Sequence, residues 1–382
     1  MKILHICSSY FETSLFKKLF SKLKVYGVEN VVYVPRWHND FGYTEKNIYV
    51  VDKKFSKLSK FLYWGEQKYI LKDIEKRIIL SDIDVIHVHR ILYGGYVALQ
   101  LKSKYNIPYI VAIRNSDLYG FGRNMTIYKR HCWNIIQNAS KVIYISGAYR
   151  DMVFEKYSQE KWHTLNSDIN EVIPNGIDDF FLTHVAGIDG RTRLEGNQIR
   201  LLSVGDVDKN KNVLTTIKSV ELLMKHGKHV SFNVAGKIKD EGVYKRIRSK
   251  PYINYLGVIN KEQIKDELRK ADVFVMPSVH ETFGLVYAEA MSQGCPVIYT
   301  RGQGFDGQFV DGEVGYSVDC FDSQEIADRI VDILQDYQNI SNRCIINSKR
   351  YSWDRIANIY KDIYCQCLMA RPTAASASLT SD

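Results

Sequence analysis

Two glutamates, Glu281 and Glu289, bracket a Thr-Phe-Gly-Leu turn at the point where a strand gives way to a helix. The apolar run Asp272-Val-Phe-Val-Met-Pro277 reads as a buried strand, and Leu285–Met291 reads as a helix stopped by Gly294 and Pro296. Unsatisfied amides at a helix start attract phosphate. Glycine at 284 lets a ligand approach the backbone closely, and carboxylates accept hydrogen bonds from sugar hydroxyls. Strand, turn and helix together suit a phosphorylated sugar. The competing reading is ordinary architecture, with Glu281 as helix-start charge and Glu289 as an exposed helical residue.

Further groups stand at other strand ends. Ser203-Val-Gly205-Asp-Val-Asp-Lys209-Asn-Lys211-Asn212 follows an apolar strand and opens a helix, and a lysine there neutralises phosphate oxygens. Val234-Ala-Gly236 and Tyr255-Leu-Gly257-Val258 are strand-end glycine loops suited to border a nucleotide base, or plain tight turns. Arg114 ends another strand; it is always cationic, so it binds an anion rather than acting as a base, or else pairs structurally with Asp117. His87 and His89 alternate to the same face of one strand and suit either a site or a buried structure. The sequence spacing shows no metal-ligand cluster of Cys or His, no Ser-His-Asp signal, no Walker loop and no nucleic-acid motif.

The elements that must position these groups alternate. In the first half, apolar strands are expected at Lys2–Cys7, Val31–Val34, Asp84–His89, Tyr109–Ile113 and Lys141–Ser146, with helices between them, including Ser14–Tyr26. Glu171–Asp178 reads as a last short strand and turn, and the polar stretch 179–197 as an interdomain segment. The alternation restarts with strands Arg200–Gly205, Val230–Gly236, Ile253–Gly257, Val273–Met276 and Val297–Thr300. Helices are expected at Asn212–His226, Glu262–Ala271, 285–293 and Ser323–Tyr337. Such βαβ order predicts two doubly wound α/β domains, each binding ligands at the carboxyl ends of its strands.

The 382 residues suffice for two cores. Residues 1–170 carry 26 Lys+Arg against 15 Asp+Glu, a net of +11, while the rest of the chain carries 26 against 28. A phosphorylated acceptor, an anionic membrane surface, nucleic acid or merely a solvated lysine-rich surface explains such a bias. Lys53-Lys54-Phe-Ser-Lys57-Leu-Ser-Lys60-Phe-Leu-Tyr-Trp64 reads as an amphipathic, membrane-facing element or as a surface helix with one buried face. No secretory signal and no spanning segment are visible, and the seven cysteines show no zinc spacing, so a cytoplasmic protein with free thiols is expected. The small, polar tail after Met369 reads as disordered.

Glu281-x-Phe-Gly-Leu-x-x-x-Glu289, together with Pro174-Asn-Gly-Ile-Asp178 and Val204-Gly205…Lys211-Asn212, resembles the motifs of retaining glycosyltransferase family 4. The resemblance covers most of residues 1–368 and is stronger in the second half. It implies the GT-B fold: an acceptor-binding Rossmann-like domain at 1–170 and a linker at 171–197. A nucleotide-sugar domain follows at 198–351, with a central cleft between the two domains. A last helix at 352–368 would return to the first domain. It implies that Glu281 holds hydroxyls of the transferred sugar and Glu289 the ribose. The amides of Phe283, Gly284 and Leu285 would face the sugar and diphosphate. Gly205 and Lys211 match the diphosphate loop, but Asp206 stands where the family has arginine, so Lys209 is a substitute cation. Arg114 stands where many members have histidine. Ser8-Ser9-Tyr10 replaces the usual Gly-Gly loop, and Gln308 often corresponds to an acid; no role is carried onto it.

The implied activity is transfer, with retained configuration, from a UDP- or GDP-sugar to a hydroxyl of a glycan or lipid-linked acceptor. No cofactor or metal is implied, and no nucleic-acid partner. The catalytic candidates are Glu281, Lys211 and Arg114. The donor candidates are Gly205, Lys209, Lys211, Val258 and the 281–289 segment. A non-catalytic sugar-nucleotide binder and a GT-B sugar-nucleotide epimerase are the alternatives.

Overall fold

The computed structural model describes residues 1–35, 46–51, 63–114, 117, 125–157, 167–187 and 198–370. The chain divides into two compact units. One comprises Met1–Ile145, Met152–Ile173 and the chain from Trp353 onward; the other comprises Ser146–Asp151 and Pro174–Ser352. The basic-aromatic residues 53–62 and the tail 371–382 lie outside the described residues; Trp64 is described and 44% exposed.

The first unit is built on a seven-stranded parallel sheet: β1 (Lys2–Ile6), β2 (Glu29–Val34), β3 (Ile48–Val50), β4 (Val85–Val88), β5 (Tyr109–Ile113), β6 (Lys141–Tyr144) and β7 (Asn170–Val172). Its order is β3-β2-β1-β4-β5-β6-β7. The helices are α1 (Ser14–Val25), α2 (Tyr63–Arg77), α3 (Ile91–Tyr105), α4 (Met125–Asn138) and, from Met152 on, α5 (Gly147–Tyr157), whose first residues group with the second unit. Strands such as Tyr-Ile-Val-Ala-Ile are buried throughout, as expected of a parallel sheet covered on both faces. Thr13 caps α1, whose Leu19, Phe20 and Leu23 pack on Ile3, Val32 and Val85.

The second unit has a six-stranded parallel sheet of β8 (Gln198–Val204), β9 (His229–Ala235), β10 (Ile253–Gly257), β11 (Val273–Val275), β12 (Val297–Thr300) and β13 (Gly315–Val318), in the order β10-β9-β8-β11-β12-β13. Its helices are α6 (Asp179–Thr183), α7 (Val213–Lys225), α8 (Glu241–Arg248), α9 (Lys261–Lys270), α10 (Leu285–Ser292), α11 (Ser323–Gln335) and α12 (Tyr337–Ser348). The last helix, α13 (Trp353–Met369), belongs to the first unit: Trp353, Ile356, Tyr360, Ile363 and Tyr364 join the core of Ile3, Ala112 and Ile143.

The described part of the expected linker, residues 171–187, is more structured than its polarity suggests. Val172 pairs with Tyr144 in the first sheet, and Ile173 is buried. Asp178 caps α6 by accepting from the Phe180 amide, and Phe181 is buried beneath it. Isolated apolar anchors organise this stretch, and a composition scan averages over them. Besides α6, four further elements go unnoticed in the sequence. β3 is three residues long, α8 lies in a strongly charged stretch, and β13 begins in a glycine-rich turn. α12 follows α11 with only Asp336 between them.

Candidate functional site

In the second sheet the connections run outward in opposite directions from β8 and β11, which are neighbours. The loops after these two strands therefore diverge and leave a crevice at their carboxyl ends, where open α/β sheets bind ligands. The loop after β8 carries Gly205–Asn212; the loop after β11 carries Pro277–Gly284.

The two loops are tied together. Asn210 donates from its side chain to the His280 carbonyl at 3.0 Å and accepts from the His280 amide at 3.0 Å, while its own carbonyl accepts from Val279 N–H at 2.8 Å. Asn212, in the left-handed region at φ 53°, donates to the carbonyls of Pro277 and Cys320. Asp208 accepts from the Lys211 amide at 2.8 Å. This clamp brings Lys211 Nζ within 2.6 Å of Glu281 Oε2, with the two side chains 21% and 13% exposed. Ser278 Oγ lies 3.4 Å from the same carboxylate oxygen.

Glycine makes the approach possible. A Cβ on Gly205 would meet Lys211 Cε at 3.2 Å, so the lysine stem lies across the bare backbone. Gly284 sits at φ +74° and precedes the first residue of α10, and no side chain caps that helix start. A Cβ there would strike the Tyr287 ring at 2.3 Å. The Glu281 backbone is pinned from both sides: its amide donates to Gln303 Oε1 at 3.0 Å, and its carbonyl accepts from Gly304 N–H at 2.9 Å. A cation, a carboxylate and an uncapped helix start thus share one strand-end crevice.

The remaining candidates divide. Phe283 is buried against Phe305 and Tyr351, so its ring serves the core and only its backbone is offered. Leu285 and Glu289 are half-buried on α10, and the Glu289 charge acts on Lys261, which is ion-paired to Asp178. Val258 follows Gly257 (φ +74°) and is 75% exposed, an apolar surface at a strand end. Lys209 is 85% exposed and lies 3.8 Å from Asp240, away from the Lys211–Glu281 pair. Gln308 is structural: it accepts from Tyr351 Oη at 2.9 Å and donates to the Gly304 carbonyl.

In the first unit the equivalent divergence falls between β1 and β4. A polar chain lies buried here between the sheet and helices α1 and α13. Asn30 donates to the carbonyls of Phe20 and Val28, so its Oδ1 accepts from His5 Nε2 at 2.9 Å. His5 is neutral, since burial pushes its pKa down to about 3; its Nδ1 then accepts from His89 Nε2 at 3.1 Å. His87 meets Tyr364 Oη of α13 at 2.7 Å, and the Arg114 charge acts on the buried Tyr360 hydroxyl of α13. The Arg114 amide donates to Asp117 Oδ2 at 2.9 Å, and burial raises the Asp117 carboxyl to about 6. Arg114 thus acts electrostatically on the C-terminal helix and is tied through its backbone to Asp117.

His5, His87 and His89 form a group of potential metal ligands that sequence spacing did not reveal, because His5 lies on a different strand. His5 and His89 share a hydrogen bond, whereas His87 Nε2 and His89 Nδ1 have no hydrogen-bond partner among the described residues. His5 spends both nitrogens on Asn30 and His89, and the rings of His87 and His89 stack at 3.9 Å and 28°, so their in-plane lone pairs run side by side instead of converging. Sequence reasoning also passed over Arg90. It donates to Ser9 Oγ at 3.3 Å and stacks on Tyr93 at 4.5 Å, while its Nε, like Ser8 Oγ, has no hydrogen-bond partner among the described residues. Its position at the strand divergence was the available signal.

Comparison with known proteins agrees with this layout. A family model described as Glycosyl transferases group 1 matches residues 188–351, and one described as Glycosyltransferase Family 4 matches residues 18–179. An uncharacterised glycosyltransferase of Methanocaldococcus jannaschii is 26% identical over 79% of this chain and 81% of its own. The alpha-monoglucosyldiacylglycerol synthase of Acholeplasma laidlawii is 22% identical over 74% and 75%. The structure of Anabaena HepE in complex with UDP and glucose superposes with a TM-score of 0.63 at 16% identity, covering 96% of this chain and all of that one. With one model matched to each half and two parallel-sheet domains of GT-B type, the chain belongs to the group 1, family 4 glycosyltransferases.

Proposed function

We propose that this glycosyltransferase moves a sugar from a nucleoside-diphosphate sugar, with UDP as the first nucleotide to test, onto a hydroxyl of a lipid- or glycan-linked acceptor. The observation that carries the donor assignment is the Lys211–Glu281 pair at 2.6 Å beside the uncapped start of α10. Lys211 and the α10 amides would meet the diphosphate, Glu281 the hydroxyls of the transferred sugar, Glu289 the ribose, and Val258 the base. The anomeric carbon–phosphate oxygen bond breaks and a bond from the acceptor oxygen forms on the same face. The departing diphosphate takes the acceptor proton, and Lys211 stabilises the charge left on it. Retention and metal independence belong to this reading.

An acceptor at a membrane surface fits the excess of 26 Lys+Arg over 15 Asp+Glu in residues 1–170, and the named activity of the Acholeplasma relative supports a lipid acceptor. Among the described residues no helix is long and apolar enough to cross a membrane. A panel of nucleotide sugars, read by slow donor hydrolysis and by the anomeric configuration of the product, tests the reading. Glu281→Gln is expected to lower turnover more than it weakens binding of free nucleoside diphosphate. Equal losses of sugar-nucleotide and bare-nucleotide affinity would remove Glu281 from the sugar. Activity is expected to survive EDTA; loss in chelator with rescue by Mg²⁺ or Mn²⁺ would refute metal independence.

A further inference from the structure

The first unit holds a second concavity, on the flank of α1. It runs along α1, from Tyr10 in the loop after β1 to the amino ends of β2 and β3, and has a volume of about 520 Å³. Small-molecule sites commonly measure roughly 300–1,000 Å³. Its floor is apolar: Tyr10 and Phe20, stacked at 5.9 Å and 13°, with Val28 and Val32. Its rim carries Lys17, Lys24 and Lys46. Lys17 Nζ is held 5.7 Å over the Tyr10 ring. The one carboxylate in the lining, Glu29, is engaged by Lys2 at 3.4 Å and Asn47 at 3.3 Å. Among the described residues no ion pair joins Lys17, Lys24 or Lys46 to a carboxylate.

Three ammonium groups around one small mouth exceed what a single carboxylate requires and suit an oxyanion with several acceptor oxygens. An aromatic and aliphatic floor below them suits an apolar moiety on the same molecule. We propose that this pocket binds a phosphate-bearing ligand whose apolar portion lies on Tyr10 and Phe20. The site uses no residue of the donor crevice and so goes beyond the proposed transfer reaction. The phosphate belongs either to the head of an acidic lipid in a bilayer or to a soluble phosphate ester.

The full chain is tested in two arms: co-sedimentation with vesicles of phosphatidylglycerol in phosphatidylcholine, against phosphatidylcholine alone, and calorimetric titration with glycerol phosphate. The pocket variant is Lys17→Glu with Lys24→Glu and Lys46→Glu. A charge-matched control is Lys68→Glu with Lys72→Glu and Lys76→Glu on α2. Binding in at least one arm is expected, weakened roughly a hundredfold or more in the pocket variant and little in the control. Vesicle binding without glycerol phosphate binding assigns the lipid; the reverse assigns the soluble ester. Absence of binding in both arms at low salt, or equal losses in the two variants, overturns the proposal. UDP titration of the pocket variant is expected to match wild type, so failure of the donor reading appears separately, as no UDP binding by the wild type.

Discussion

At the scale of single residues, Lys211 depends on its neighbours for position. Its stem crosses Gly205, its amide is held by Asp208, and its ammonium is held by Glu281. Gly205→Val would displace the stem while leaving the charge in the protein. The donor Kd is expected to rise roughly tenfold, about the loss of one charge-assisted hydrogen bond. Titration with nucleoside diphosphate measures it; unchanged affinity would show that Lys211 does not meet the phosphates. Glu289→Ala is expected to weaken donor binding by about 1.5–3 kcal/mol with the fold intact, and an unaltered Kd in a folded variant would remove it from the ribose. Lys211 and Glu281 were legible because each lies beside a glycine turn at a strand end. The company of Arg114 was not: Tyr360 lies on the last helix, far along the chain, and spacing carries no information about such a pairing. Lys209, the substitute cation suggested by Asp206, reaches toward Asp240 for the plain reason that this carboxylate is the nearer partner.

At the scale of elements, the buried face between the first sheet and helices α1 and α13 mixes apolar packing with neutral imidazoles. Val32, Val85, Ile110 and Trp353 surround a line from Asn30 through His5 to His89, with His87 against Tyr364. Burial lowers the pKa of all three histidines. A base whose folded pKa is depressed contributes stability above its unfolded value and loses it as pH falls toward the folded one. Stability of the first unit is therefore expected to decline from about pH 6.5 downward, by up to about 1.4 kcal/mol per pH unit for each imidazole. Asp117, raised to about 6, works the other way: its contribution is present below its unfolded value of 3.8 and is lost as pH rises through about 6. Three groups against one leave a net acid sensitivity. A melting temperature unchanged between pH 7 and pH 5 would contradict it. The strands themselves were legible: Tyr109–Ile113 and Val297–Thr300 to the residue because buried parallel strands are short apolar runs between turn residues, and the edge strand Ile253–Gly257, in which Ile253 alone is buried, because it ends in a glycine turn. β13 was not, since its opening Gly315 is there for a backbone reason: a Cβ would meet the Val297 carbonyl oxygen at 1.8 Å.

At the scale of the whole molecule, the chain lends Ser146–Asp151 to the second unit, leaves the first at Ile173, builds the second through Ser352 and returns to the first from Trp353. The return was implied by family resemblance and not by any local pattern, since an amphipathic helix does not declare which sheet it covers. Trp353, Ile356, Ala357, Tyr360, Ile363, Tyr364 and Cys367 are all buried on α13, and Lys22 adds an ion pair to Asp354 at 2.9 Å. Burial of a large apolar side chain is worth about 1.5–3 kcal/mol, so these residues together rival the roughly 5–15 kcal/mol net stability of a domain. Truncation after Ser352 would also leave His87 without its tyrosine partner in the interior. Residues 1–352 are expected to keep the second unit folded and the first unfolded or molten, with two transitions resolved in calorimetry or protection lost from β1, β4 and β5 in hydrogen exchange. Residues 174–352 alone are expected to fold and to bind nucleoside diphosphate, because the Lys211–Glu281 crevice and its clamp lie wholly within that span. A truncated chain whose first unit retains native exchange protection would show that α13 is a dispensable cover. A folded 174–352 fragment that binds no nucleotide would show that the donor crevice needs more than its own sheet.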